Sequence, residues 1–318
     1  MKAKILALIL VAAAVVACST RPSLPDDGFV NVPGGRVAFR VVGSGPSTPV
    51  LIIHGGPGSS SCDFVANVDG IAADRPVILY DQLGSGYSDR IRDLERFARL
   101  PLFVEEIDAI RAELNLGEVH LVGHSWGTTV ALEYLLTTEP TGIKSTVFVS
   151  PFFGTERWIS DANDLLAELP AAAQEIVRLA VESGDFDSSD FEEANDLFWS
   201  KFRVRTPGEQ LNLEPCEKEP SGDSGLYEYM WGPSEFISTG TLKDHDRIGR
   251  LQELDLPVLF VTGQHDEARP ETVKFFQELV EGSELKILPD AAHVVYLDQT
   301  DMFNSVLAGF FEKVESPR

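Results

Sequence analysis

Residues 119–136 constrain this chain most. Val119 to Val122 is a short apolar run of the kind that forms a buried strand. Thr128 to Leu136 carries apolar residues at Val130, Ala131, Tyr134 and Leu135, the spacing of a helix face. Between them stands Gly123-His124-Ser125-Trp126-Gly127, a G-x-S-x-G sequence. A chain that passes from strand to helix in so few residues turns sharply, and glycine alone lacks the Cβ that would collide across the turn. The pattern predicts a strained elbow with Ser125 at its apex, exposed at the carboxyl edge of a parallel sheet and facing a helix N-terminus.

The rest of the chain supplies such a sheet. Phe29 to Val42 alternates apolar and polar residues around Pro33-Gly34-Gly35 and reads as a β-hairpin. A buried strand is expected at 49–53 and further strands at 76–80, 119–122, 145–149, 257–262 and 284–288, with helices at 104–114, 128–136 and 300–314. Strands alternating with helices predict an α/β fold, a doubly wound, mostly parallel sheet covered on both faces. From 152 to 240 the alternation stops. Helical stretches at 160–182 and 190–203 precede a polar section at 206–224. An insertion there would lie over the edge that carries Ser125, as a lid. The expected organisation is a core in two parts, 29–151 and 241–318, with the helical lid at 152–240 between them.

The first seventeen residues have a different character. Lys2 and Lys4 precede an unbroken apolar run, Ile5 to Ala17, too short to span a bilayer comfortably. Val15-Val16-Ala17-Cys18 at its end resembles a bacterial lipobox. The resemblance implies a signal peptide at 1–17, cleavage before Cys18, lipidation of its thiol and a tether over 18–28. Several acyl chains would anchor such a protein firmly. Ser19 follows Cys18 where an aspartate would mark inner-membrane retention, so the expected location is an outer membrane where the cell has one.

The chain carries 26 basic and 50 acidic residues, a net charge of -24. Removing Lys2 and Lys4 leaves 24 bases, or about -26. This balance argues against nucleic acid or an anionic surface as a partner, and favours cationic substrates. Beyond Cys18 only Cys62 and Cys216 remain. Neither has metal-ligand spacing, and export leaves them able to pair or to stay free.

A serine hydroxyl needs a base, and in a sheet with this elbow the acid and then the histidine follow in chain order. His293 comes just after the strand at 284–288. Asp266, in Gly263-Gln264-His265-Asp266-Glu267, comes just after the strand at 257–262. Asp266 would fix the imidazole tautomer and stabilise its cation, with Glu267 and Asp290 as rivals for that role. His265 is expected to neighbour the acid and His124 to pack the elbow. The oxyanion needs backbone donors. The amide of Trp126 is one, and the loop His54-Gly55-Gly56-Pro57-Gly58 supplies the other, Gly56 before Gly55. No cluster of metal or cofactor ligands stands out, so no cofactor is expected.

HGGPG at 54–58, YDQLGSGYSD at 80–89, GHSWGT at 123–128, YMWGPSEF at 229–236, GQHDEARPE at 263–271 and AAHVVYLDQ at 291–299 together resemble the prolyl aminopeptidase (proline iminopeptidase) family of α/β hydrolases. The likeness covers most of 28–314 and is weakest at 155–215. YMWGPSEF and DQLGSG resemble its broad-specificity branch, that of the tricorn-interacting aminopeptidase and related amino-acid amidases. Thr128, where the family usually has glycine, and the lipobox are departures. The resemblance implies the α/β-hydrolase fold and release of N-terminal residues, often proline, from short peptides or aminoacyl amides through an acyl-enzyme. It also implies that Glu235 holds the substrate's α-amino group, with a second lid acid among Glu209, Glu214, Glu217 and Glu219. The alternatives are a carboxylesterase or lactonase using the same triad, and an inactive surface binding protein. The sequence leaves the oligomeric state and the preferred residue open.

Overall fold

The computed structural model describes residues 24–217, 219–220 and 225–316; the segment read as a signal peptide, 1–17, and Cys18 lie outside them. Eight strands form one sheet. They are β1 (Asp27–Val32), β2 (Gly35–Val42), β3 (Val50–Ile53), β4 (Val77–Tyr80), β5 (Val119–His124), β6 (Ile143–Val149), β7 (Val258–Gly263) and β8 (Glu284–Leu288). Their spatial order is β1-β2-β4-β3-β5-β6-β7-β8. β1 pairs antiparallel with β2, and β2 with β4; every later pairing is parallel. The sheet starts earlier than the sequence suggests. Asp27 and Gly28 already pair with Arg40 and Phe39, so the tether read at 18–28 is two residues too long.

β3, β4, β5 and β7 are buried along their whole length, as central strands covered on both faces must be. Strand alternation divides their side chains between two cores. Leu51 and Ile53 pack on one face with Phe103, Val130 and Phe260. Val50 and Ile52 pack on the other with Phe64, Phe303 and Phe311. The first half of the chain supplies the helices α1 (Cys62–Val65), α2 (Leu94–Phe97), α3 (Leu100–Glu113) and α4 (Trp126–Thr138).

Between β6 and β7 the chain leaves the sheet and forms α5 (Thr155–Leu166), α6 (Ala171–Ser183), α7 (Ser189–Phe202), α8 (Glu214–Glu217) and α9 (Leu226–Met230). The helical stretch expected at 160–182 is thus two helices. Pro170 caps α6 at φ -54° and ψ 143°, and its ring bars the residue before it from continuing a helix. The insertion has its own apolar cluster, in which Phe191, Phe198 and Phe202 pack against Phe236. Cys216 of α8 is disulfide-bonded to Cys62 of α1, with the Cα atoms 5.0 Å apart. After β7 come α10 (Pro270–Glu278), α11 (Val295–Asp298) and α12 (Thr300–Glu315).

Candidate active site

β5 ends at His124 and α4 begins at Trp126, so Ser125 makes the whole turn. It does so at φ 54° and ψ -122°, a conformation that side-chain-bearing residues rarely adopt. The flanking glycines make this possible. A Cβ on Gly123 would lie 2.5 Å from the carbonyl oxygen of Gly127, and one on Gly127 would lie 2.2 Å from that of Ile53. The Ser125 amide donates to Val149 of β6 at 2.9 Å, which fixes the apex against the neighbouring strand.

Asp266 and His293 arrive from the loops after β7 and β8. Asp266 is 1% exposed and His293 4%, so neither charge is screened by bulk water. His293 Nδ1 lies 2.9 Å from Asp266 Oδ1. Four other donors surround that carboxylate. Thr262 Oγ1 donates to Oδ2 at 2.9 Å, the Gly263 amide donates to Oδ2 at 3.2 Å and the Ala268 amide to Oδ1 at 2.8 Å. Ser150 Oγ lies 2.6 Å from Asp266 Oδ2 and 2.7 Å from the main-chain oxygen of His293, and donates to one of the two. Burial works against a charge on His293, but Glu267 and Asp266 outweigh it and hold its pKa above the ordinary histidine value. His293 and Ser125 line one cavity. No hydrogen bond among the described residues joins Ser125 Oγ to the ring, a looseness common where no substrate is bound.

The rivals fall elsewhere. Asp290 is exposed, with its amide donating to Gln264. His265 donates its amide to Ala291 and does not line the cavity. His124 is buried and donates from Nε2 to the main-chain oxygen of His293 at 3.1 Å, so it holds the histidine loop in place. Burial drives its pKa well down, and it stays neutral.

Gly55, Gly56 and Trp126 line the same cavity as Ser125. Gly56 has φ 114°, and a Cβ there would lie 2.6 Å from the amide nitrogen of Gly58. Trp126 is the first residue of α4, where an amide has no partner inside the helix. One side chain ties these two donors together, and sequence reasoning did not single it out. Gln82 donates to the main-chain oxygen of His54 at 2.8 Å and accepts from Trp126 Nε1 at 2.8 Å. Its own amide donates to His54 Nε2 at 2.9 Å. The only signal for it was its place in DQLGSG.

The cavity measures about 270 Å³. Glu235 lines it, with Oε1 accepting from Tyr227 at 2.5 Å and Oε2 from Trp158 Nε1 at 2.9 Å. None of the four lid acids, Glu209, Glu214, Glu217 or Glu219, lines it; the carboxylates that line it with Glu235 are Glu267 and Asp63. The sequence weighed Glu267 only as a rival to Asp266 and sought the second acid in the lid. The loop after β7 turns between the two residues, so Asp266 meets Nδ1 while Glu267 Oε1 lies 3.5 Å from Nε2. Glu267 is 5% exposed, and its Oε2 has no hydrogen-bond partner. Burial pushes its carboxyl up to about 8, with the His293 ring opposing the shift and Glu235 adding to it. The lid is built into this arrangement. The carbonyl of Phe202, the last residue of α7, accepts from the amides of both Glu267 and His293 at 3.1 Å.

An elbow serine, a buried histidine–carboxylate pair and two backbone donors at the carboxyl edge of a parallel sheet define a serine hydrolase site. Residues 48–300 match the family described as alpha/beta hydrolase fold, and the chain belongs to that family. It is 41% identical over 291 residues to the proline iminopeptidase of Heyndrickxia coagulans, a match covering 91% of this chain and 99% of that protein. It is 32% identical to the proline iminopeptidase of Levilactobacillus brevis, over 85% and 90% of the two chains. The crystal structure of the Mycobacterium smegmatis proline iminopeptidase superimposes with a TM-score of 0.80 at 29% identity, covering 91% of this chain and 98% of that one.

Proposed function

We propose that this chain is a serine aminopeptidase that releases N-terminal residues, proline among them, from short peptides or aminoacyl amides. The observation that carries this reading is the pair Glu235 and Glu267 facing the same cavity as Ser125. Charge on these carboxyls opposes the oxyanion that forms on attack. A substrate ammonium pairs with Glu235 and favours the ionised form of Glu267, whose carboxyl burial raises to about 8, and a neutral acyl ester does neither. Ser125 attacks the first peptide carbonyl while His293 Nε2 takes the Oγ proton and Asp266 steadies the imidazolium. The amides of Gly56 and Trp126 receive the oxyanion. His293 returns its proton to the leaving amine, and water then opens the acyl-enzyme with His293 as base again. Phe152, Trp158 and Leu242 offer an apolar wall to the first side chain.

The test is a kinetic panel of proline, alanine, leucine and phenylalanine arylamides, each with a free and an acetylated amine. Free amines should react at least about 100-fold faster, because an acetylated substrate leaves buried charge unpaired. Glu235→Gln should narrow that ratio by about tenfold or more. Faster turnover of acetylated substrates or of simple acyl esters would overturn the reading in favour of an esterase.

We propose in addition that the mature protein is exported and held on a membrane by lipid on Cys18. The run Val15-Val16-Ala17-Cys18 after an apolar segment of signal-peptide length supports this.

A further inference from the structure

The cavity has a further group of lining residues, its second arm, that makes no hydrogen bond to Glu235. Trp158 and Trp231, beside Glu235, belong to the core on one face of the sheet. Val294 and Tyr296 line the cavity from the core of the opposite face. The lid meets that side through Val204, which packs on the same core, and brings Trp199 and Arg203 to the cavity wall. The carbonyl of Arg203 accepts from the Val294 amide at 2.9 Å, so the arginine is rooted beside the His293 loop. Asp63, next to the disulfide in α1, faces the same arm.

Several polar groups of this arm lack hydrogen-bond partners, although the Arg203 charge favours the ionised forms of Asp63 and Glu267. The Arg203 guanidinium lies 4.7 Å over the Trp199 ring, and it makes no hydrogen bond or ion pair with any described residue. Trp199 Nε1 and Asp63 Oδ1 are buried and likewise unpartnered, although Asp63 Oδ2 accepts from Tyr296 at 3.0 Å. Buried polar atoms without partners carry a cost that a bound ligand relieves. A guanidinium with five free donors beside an indole N–H suits a carboxylate. The unpartnered carboxylate oxygen nearby suits an ammonium. One small molecule carries both groups, a free amino acid. In a dipeptide, the group that leaves as the peptide bond breaks is such an amino acid, and its carboxylate stands one Cα beyond the departing nitrogen.

Building on the aminopeptidase reading, we infer that Arg203, with Trp199 Nε1, binds the carboxylate of the leaving residue and makes dipeptides the preferred substrate class. The amine leaves neutral with the proton from His293, takes a further proton from water, and Asp63 then receives the resulting ammonium. Longer peptides and amides place a neutral group at Arg203 and forgo the contact.

The experiment compares X-Ala with X-Ala amide, where X is the residue preferred in the arylamide panel. The wild-type enzyme should favour the free dipeptide in kcat/KM by about tenfold or more, the scale of a charge-assisted contact. Arg203→Gln should bring that ratio close to one, mainly through KM, and Arg203→Lys should restore part of it. Taking the ratio removes any general loss of activity. Should Arg203→Gln not fold, the wild-type ratio and Arg203→Lys decide. Equal turnover of dipeptide and amide by the wild type, or a ratio unchanged in the variants, overturns the inference while leaving the aminopeptidase reading intact. A panel with no aminoacyl turnover removes both.

Discussion

His293 sits between two carboxylates, with Asp266 2.9 Å from Nδ1 and Glu267 3.5 Å from Nε2. The histidine and Glu267 thus hold a proton to higher pH than a histidine with Asp266 alone. A protonated His293 cannot take the Ser125 proton. Inactivation by a neutral organophosphonate, which needs no amine contact, should therefore rise with pH through a midpoint above the ordinary histidine value of about 6.5. Glu267→Gln removes the strongest influence that raises this midpoint. The acid limb should move down; a midpoint that stays or climbs would show that Glu267 does not act on the imidazole. The same carboxyl links stability to pH. Its folded pKa of about 8 lies above the unfolded glutamate value. Its contribution is complete below that unfolded value, about 4.3, and is lost as pH rises through 8. Glu267→Gln cannot ionise, so its melting temperature should gain on the wild type between pH 5 and pH 9. A difference that shrinks over this range would contradict the assigned direction.

The elements most visible in the sequence were those with a period. β3, β5 and β7 are buried throughout and mostly apolar, and the turn after β5 needed two glycines at fixed places, so each stood out locally. The insertion was less legible. Helix periodicity ran across Pro170 and hid the break between α5 and α6, and α8 is too short to show a face. Whether Cys62 and Cys216 pair depends on the distance between α1 and α8, which no local pattern encodes. Their bond joins residues 154 apart and ties α8 of the lid to the segment after the HGGPG loop. Closing so long a loop contributes about 3–5 kcal/mol by restricting the unfolded chain. The double variant Cys62→Ser, Cys216→Ser should melt roughly 5–15 °C lower than the oxidised wild type in calorimetry. Equal melting temperatures would mean that the bond adds nothing to stability.

Across the whole molecule, the sheet order brings the ends of β3, β5, β7 and β8 to one edge, and the cavity opens there. Chain order alone predicted Ser125, Asp266 and His293 as partners, because each follows its own strand. It could not show Glu267 reaching the cavity, since adjacent residues on a loop can face opposite ways. The other whole-molecule property is charge, about -26 once Lys2 and Lys4 are removed. Bacterial membrane surfaces are generally anionic, and a protein with this balance is repelled from one. Residence at such a surface would then rest on lipid at Cys18 alone, since two or more acyl chains outweigh that repulsion and one chain barely would. Cys18→Ala should therefore shift the protein from the membrane pellet to the soluble exported fraction, or leave it as an unprocessed precursor. Release should be nearly complete and should not depend on salt, because no electrostatic attraction remains to be screened. Mass spectrometry of the wild type should show acyl chains on an N-terminal Cys18. An unmodified N-terminus, or a Cys18→Ala protein that is processed and still pellets with membranes, would refute lipid anchoring.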